Sequence, residues 1–137
     1  MDIVYAQDSL LLHWAEQKLG EKWDAKKVRW LSGVDSEICF VVVYSRFSAR
    51  DCWMSIATNG KRTWATRRSL RAIFRLPFVE WGLKRVTFMV RADNEKSMKM
   101  LRQAGAVREG VARNSFEGDI DGIAFGMLRE EAERWIK

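Results

Sequence analysis

The sequence predicts a mixed α/β domain: one twisted sheet of six to seven strands with helices on both faces. Three observations predict it. The run Ile38–Tyr44, ICFVVVY, is almost continuously β-branched or aromatic, the pattern of a strand covered on both sides. Residues 54–105 then switch period repeatedly: MSIAT, a basic loop NGKRTWATRR, the helical SLRAIFRLPFVEW, the strand-like RVTFMVRA and the helical NEKSMKMLRQAG. Finally, the strands before residue 58 are joined by short connections, which suit an antiparallel meander. Residues 52–58 and 86–90 are joined by a helical crossover and so run parallel, which makes the sheet mixed.

In chain order, DIVY at 2–5 reads as a short strand. Asp8 or Ser9 caps a helix over 9–19, where Leu11, Leu12, Ala15 and Leu19 recur at helical spacing and Gly20 is the stop. The polar stretch 21–27 is a loop, and Val28–Leu31 and Ile38–Tyr44 are strands. SRFSARD connects to Cys52–Thr58, which Asn59-Gly60 ends with a turn signal. The next helix runs from Arg67 to Trp81, with Leu70, Ile73, Phe74, Pro77, Phe78 and Trp81 on one face and Arg67, Arg68, Arg71 and Arg75 beside them. Pro77 lacks the N–H that would bond residue 73 and predicts a kink. Val86–Val90 is a central strand, 94–104 a helix capped by Asn94 and closed by Gly105. Val107–Arg113 and Ile123–Leu128 are strands separated by the polar loop NSFEGDIDG, and 130–136 is a last helical turn.

At 137 residues the chain reads as one domain, 1–137. No apolar run approaches the roughly 18–20 residues that span a bilayer, and the N-terminal stretch has no basic region of a signal peptide. Cys39 and Cys52 lie in strand-like stretches and suit buried, reduced thiols. With His13 the one histidine, no metal site is expected. A cytoplasmic protein with no membrane partner follows, as a monomer or homodimer.

The net charge of +6 is local. Between Lys61 and Arg85 eight cations face one acid, Glu80, so the rest of the chain sums to −1. A cationic loop feeding a helix N-terminus suits phosphate, because backbone N–H groups are unpaired there and the helix dipole favours an anion. The ligand classes this admits are a phosphorylated cofactor or nucleic acid, the latter with Trp64 as a stacking platform.

The stretch GLKRVTFMVRADNEKSMKMLRQAGAVREGVAR resembles the second half of the GNAT acetyltransferase superfamily, and is most similar to the branch of ribosomal-protein N-terminal acetyltransferases and their short phage-encoded relatives. The resemblance rests on Asn94-x-x-Ser97, Leu101, Gly105, Glu109-Gly110 and Arg113, and covers about 51–129. It implies the GNAT fold, with strands 52–58 and 85–91 splayed around acetyl-CoA as co-substrate. Pantetheine would then pair with backbone at Ile56, Ala57 and Thr58. The pyrophosphate would lie on the 61–68 loop, with Lys61, Arg62, Arg67 and Arg68, and Asn94 and Ser97 would flank the thiol end.

The implied activity is an acetyl-CoA-dependent N-acetyltransferase in which a primary amine of unknown class attacks the thioester directly. Asp51 and Glu37 are the candidate bases and Ser97 the candidate proton donor to the thiolate. Two features depart from the family pattern. Ala65 and Arg67 stand where the loop carries glycines, and Leu101 stands where many relatives place a tyrosine acid. The alternative is a catalytically degenerate GNAT-fold protein that binds CoA, a protein partner or nucleic acid.

Overall fold

The two periodicities sort the chain into seven strands and four α-helices, and the computed structural model, which describes residues 1–137, sets their bounds. They are β1 (Asp2–Val4), α1 (Ser9–Leu19), β2 (Arg29–Val34), β3 (Ile38–Ser45), β4 (Asp51–Thr58), α2 (Arg67–Arg75), β5 (Arg85–Arg91), α3 (Glu95–Ala104), β6 (Val107–Phe116), β7 (Ile120–Leu128) and α4 (Arg129–Ile136). The strands form one sheet in the order β1-β2-β3-β4-β5-β7-β6. Every neighbouring pair is antiparallel except β4 and β5, which run parallel as the crossover requires.

Because successive strand residues point to opposite faces, the sheet has two cores. On one face α1 lays Leu11, Leu12 and Ala15 against Trp30, Val41, Val43 and Ala57. The Asp8 carboxylate accepts from the Leu10 N–H at 2.9 Å to start this helix, and Gly20 ends it at φ 65. The larger core, on the other face, joins α2, α3 and α4 to Phe40, Val42, Tyr44, Met54, Val86, Phe88, Phe125 and Met127. Cys39 and Cys52 are free and buried, and burial pushes the Cys52 thiol up to about 12.

Two elements differ from the sequence expectation. The polar stretch 114–122 is mostly strand: β6 and β7 extend to Phe116 and from Ile120, leaving a turn with Gly118 at φ 84 and Asp119 at φ 59. The residues are polar because β6 is an edge strand, mostly exposed, and its register shifts between Ala112 and Phe116 around Asn114 at φ 53. The second concerns Arg67–Trp81, where the α-helix stops at Arg75 and Leu76–Glu80 form a π-helical turn closed by the Trp81 N–H on the Leu76 carbonyl at 2.9 Å.

Pro77 explains this turn. It has no N–H for the Ile73 carbonyl, four residues back, which lies in the core. The hydroxyl of Tyr44, fully buried on β3, donates to that carbonyl at 2.6 Å. The Trp81 ring then meets Tyr44 edge-on at 5.0 Å. The crossover is thus fastened to the middle of the sheet through the bond that the proline vacates.

Tyr44→Phe should therefore cost about 1–3 kcal/mol in a urea titration, since it strands the Ile73 carbonyl in an apolar site. A β-carbon at Gly33 would sit 2.2 Å from the Phe40 ring, which is wholly buried, whereas one at Gly110 meets nothing within 4 Å. Gly33→Ala should lower stability by about 1–3 kcal/mol, and Gly110→Ala should leave the urea midpoint close to that of the parent.

Candidate active site

The sheet is two half-sheets joined along a short seam. β5 is bonded to β7 over its whole length, Arg85↔Leu128 to Arg91↔Gly122, and β4 is bonded to β3 from Trp53 to Thr58. Between them β4 and β5 share only Asp51↔Arg85, Cys52↔Val86 and Trp53↔Thr87. Beyond Trp53 the strands part. Met54–Thr58 and Phe88–Arg91 then face each other across a cleft of about 600 Å³, which leaves one backbone edge of β4 without a strand partner.

Strand alternation gives the cleft two sides. Met54, Ile56, Phe88 and Val90 point to the face of α3, whose Ser97, Met100 and Leu101 also line the cleft, with Asn94 at its cap. The Asn94 Oδ1 accepts from the Ser97 N–H at 3.1 Å, so part of this amide is spent on capping the helix. On the other side, past the end of α1, lie Trp23, Arg46, Trp53, Ser55, Met89, Arg91, Ser115 and Phe116.

The closed end of the seam is held by polar bonds. The backbone N–H groups of Lys84 and Arg85 both donate to the Arg50 carbonyl, at 2.9 and 3.1 Å. The Thr87 hydroxyl donates to Asp51 Oδ2 at 2.9 Å, and Arg85 reaches across the sheet to Glu109 Oε1 at 2.7 Å. The other oxygen of Asp51 is buried without a hydrogen-bond partner, with the Arg85 Nε 3.7 Å away. Asp51 thus shares the face of Trp53 and Ser55, one pleat beyond the cleft wall.

At the open end the chain turns through Asn59-Gly60 into the basic loop. Glu37 lies here, at the far end of β4 from Asp51. Its carboxylate accepts from Lys61 Nζ at 2.9 Å and from the Asn59 amide at 2.8 Å, and these donors lower its pKa below the usual carboxylate value. That makes it a weaker base, and it is not part of the cleft wall.

The loop itself is pinned by Trp64, which is buried against Phe40 with ring centroids 5.4 Å apart, and so is unavailable for stacking on a ligand and leaves the cleft open. Thr66 and Ser69 form a reciprocal cap at the start of α2. The Arg67 guanidinium donates to the Arg134 carbonyl at 2.8 Å and Arg68 to the Met1 carbonyl at 2.6 Å. Arg75 likewise donates to the Ile136 carbonyl at 3.1 Å, so two arginines of α2 satisfy the C-terminal end of α4.

Of the sequence-predicted positions, Ile56, Ala57, Thr58, Asn94 and Ser97 converge on the cleft; Lys61, Arg62, Arg67 and Arg68 lie beyond its mouth; Asp51 and Glu37 stand at opposite ends of β4. Sequence reading missed Arg46, Arg91, Ser115 and Phe116. The only signal for Arg46 was its place in the short connection to β4, and Phe116 fell in the stretch read as a loop. No group of three His, Cys, Asp or Glu side chains is placed to hold a metal, and no helix is long and apolar enough to cross a membrane.

No family model matches the chain, and no curated protein does. Solved structures do. The spermidine/spermine N-acetyltransferase SpeG from Vibrio cholerae superposes with a TM-score of 0.78 at 14% identity, covering 99% of this chain and 96% of that one. A ribosomal-protein alanine acetyltransferase from Vibrio fischeri gives 0.66 at 22% identity, covering 89% and 70%. An acetyltransferase from T. thermophilus known by its fold gives 0.68 at 22% identity, covering 88% and 67%. The chain has the GNAT fold of these acetyltransferases, splayed strands included.

Proposed function

We propose that the protein is an acetyl-CoA-dependent N-acetyltransferase. The observation that carries this reading is the seam that closes after three residue pairs and then opens into a lined cleft. A strand edge with unpaired backbone groups beside an apolar wall is what an extended amide-bearing chain such as pantetheine needs, and Ile56, Ala57 and Thr58 supply it. Ser97 and Asn94 stand on the same side, near where the thioester would lie. The fold neighbours named for amine acetylation support the same assignment.

The phosphates then fall to the 61–68 loop. With Arg67 and Arg68 donating to backbone carbonyls and Lys61 paired to Glu37, the contribution of these side chains is mainly their field. Arg62 is the loop cation with the freest side chain, and the Arg67 and Arg68 N–H groups at the start of α2 are the backbone donors. Ala65 is exposed, so its methyl does not obstruct that approach.

Acetyl-CoA supplies an acyl group activated as a thioester. The acceptor amine, entering from the face of Trp53, forms the N–C bond as the C–S bond breaks, and a base removes the surplus ammonium proton. Of the two candidate bases Asp51 is better placed, since it shares the acceptor face while Glu37 lies at the other end of β4. Ser97 is on the thiolate's side and can return a proton there. Holding amine and thioester in line supplies most of the acceleration, on the order of 7–11 kcal/mol in favourable cases, so the absence of a tyrosine at Leu101 is tolerable.

Calorimetry with acetyl-CoA and an assay of thiol release with a panel of amines test the assignment together. Wild type should bind one acetyl-CoA per chain and release thiol only when an amine is present. Ser97→Trp, which fills the cleft from an exposed helix start, should abolish that binding with little change in melting temperature. Binding unaffected by the tryptophan would place acetyl-CoA elsewhere and defeat the assignment.

A further inference from the structure

We propose that the amine accepted at this cleft carries an anionic group, a carboxylate or phosphate, which is held by the Arg46 guanidinium seated over Trp53. The proposal rests on the transferase reading and names the class of its acceptor.

Arg46 is the first residue after β3 and sits at φ 50. The two other non-glycine residues with positive φ are Asn114 and Asp119, types that tolerate this conformation, whereas arginine does so at a cost. The strained backbone turns the side chain back over β4. There the guanidinium carbon lies 4.2 Å from the centroid of the Trp53 ring, on the wall of the cleft. Trp53 is also the last residue of β4 paired to β5, so the arginine stands at the apex of the splay.

The donors of Arg46 make neither an ion pair nor a hydrogen bond within the chain, unlike those of its neighbours. Arg91, across the cleft, is held at both ends by Asp93, with two contacts of 3.1 Å. Lys18 lies over the Trp14 ring at 5.4 Å. A guanidinium resting on an indole keeps its in-plane N–H groups free, and their fork matches a carboxylate or phosphate in two parallel bonds. The indole also orders the side chain beforehand, which reduces the entropy lost on binding.

The remaining charges agree. The cleft is lined by Lys18, Arg46 and Arg91 against one acid, Glu21. Asp51, the nearest other carboxylate on that face, is already engaged by Thr87 and Arg85. A polycationic amine would meet like charge and find little to bind it, while an amine with an attached anion meets its complement. The same cations disfavour the ammonium form, so a bound amine is more readily neutral and able to attack.

Matched amines test this with the full-length chain: β-alanine against β-alaninamide, and phosphoethanolamine against ethanolamine, with spermidine as the polycation. Binding of each is measured by calorimetry, and turnover by thiol release from acetyl-CoA. The anionic member of at least one pair should be favoured roughly ten-fold or more, the pair with the larger ratio identifying carboxylate or phosphate. Arg46→Ala should bring that ratio to about one, and Arg46→Lys, which keeps the charge without the fork, should fall between. A ratio near one in the wild type, a ratio untouched by Arg46→Ala, or tightest binding of spermidine would overturn the proposal. Anion-selective binding without thiol release for any amine would uphold the anion site and overturn the transferase reading instead.

Discussion

The hydrogen bond from Tyr44 to the Ile73 carbonyl governs more of this molecule than its single donor suggests. A parallel pair of strands can be joined only by a crossover, and the crossover decides where the second strand begins. Here its helix is interrupted by Pro77, which frees a carbonyl in the core. Tyr44 takes that carbonyl from the centre of β3, and Trp81 packs against the same ring. The chain therefore leaves the helix at a fixed point, and Lys84 and Arg85 are delivered to the Arg50 carbonyl beside β4. Without this anchor nothing local would set the start of β5.

From that start the two strands follow different partners. β5 follows β7 along its whole length and β4 follows β3, so the seam between them lasts only as long as the Asp51, Thr87, Arg85 and Glu109 network holds it. The cleft is thus a consequence of sheet pairing. It opens through the sheet and presents a strand edge and α3 on one side and an aromatic, cationic wall on the other. That division lets one side serve a long extended ligand and the other a small nucleophile, with the reacting atoms meeting at the apex.

The order of elements was legible because each carried its own local instruction. Asp8 and Gly20 bound α1, Asn94 and Gly105 bound α3, and ICFVVVY could be little other than a covered strand. The kink at Pro77 was legible for the same reason. What failed was where local polarity and tertiary role diverge: 114–122 looks like a loop because an exposed edge strand needs no apolar face. The arginines of α2 looked alike in sequence, yet Arg67 and Arg75 are turned to the end of α4, a pairing over more than sixty residues that no local pattern encodes. Arg46 and Trp53 were illegible as a pair because their contact depends on a left-handed backbone at an arginine, which composition does not foretell.

The central claim is that the free edge of β4 receives an extended ligand as though it were another strand. Amide hydrogen exchange, followed residue by residue with and without acetyl-CoA, reads that edge directly. The account predicts slowed exchange at alternate residues of Met54–Thr58 and at the first N–H groups of α2, with β6 unchanged. Acetyl-CoA binding that leaves Met54–Thr58 unprotected and slows exchange elsewhere would contradict it.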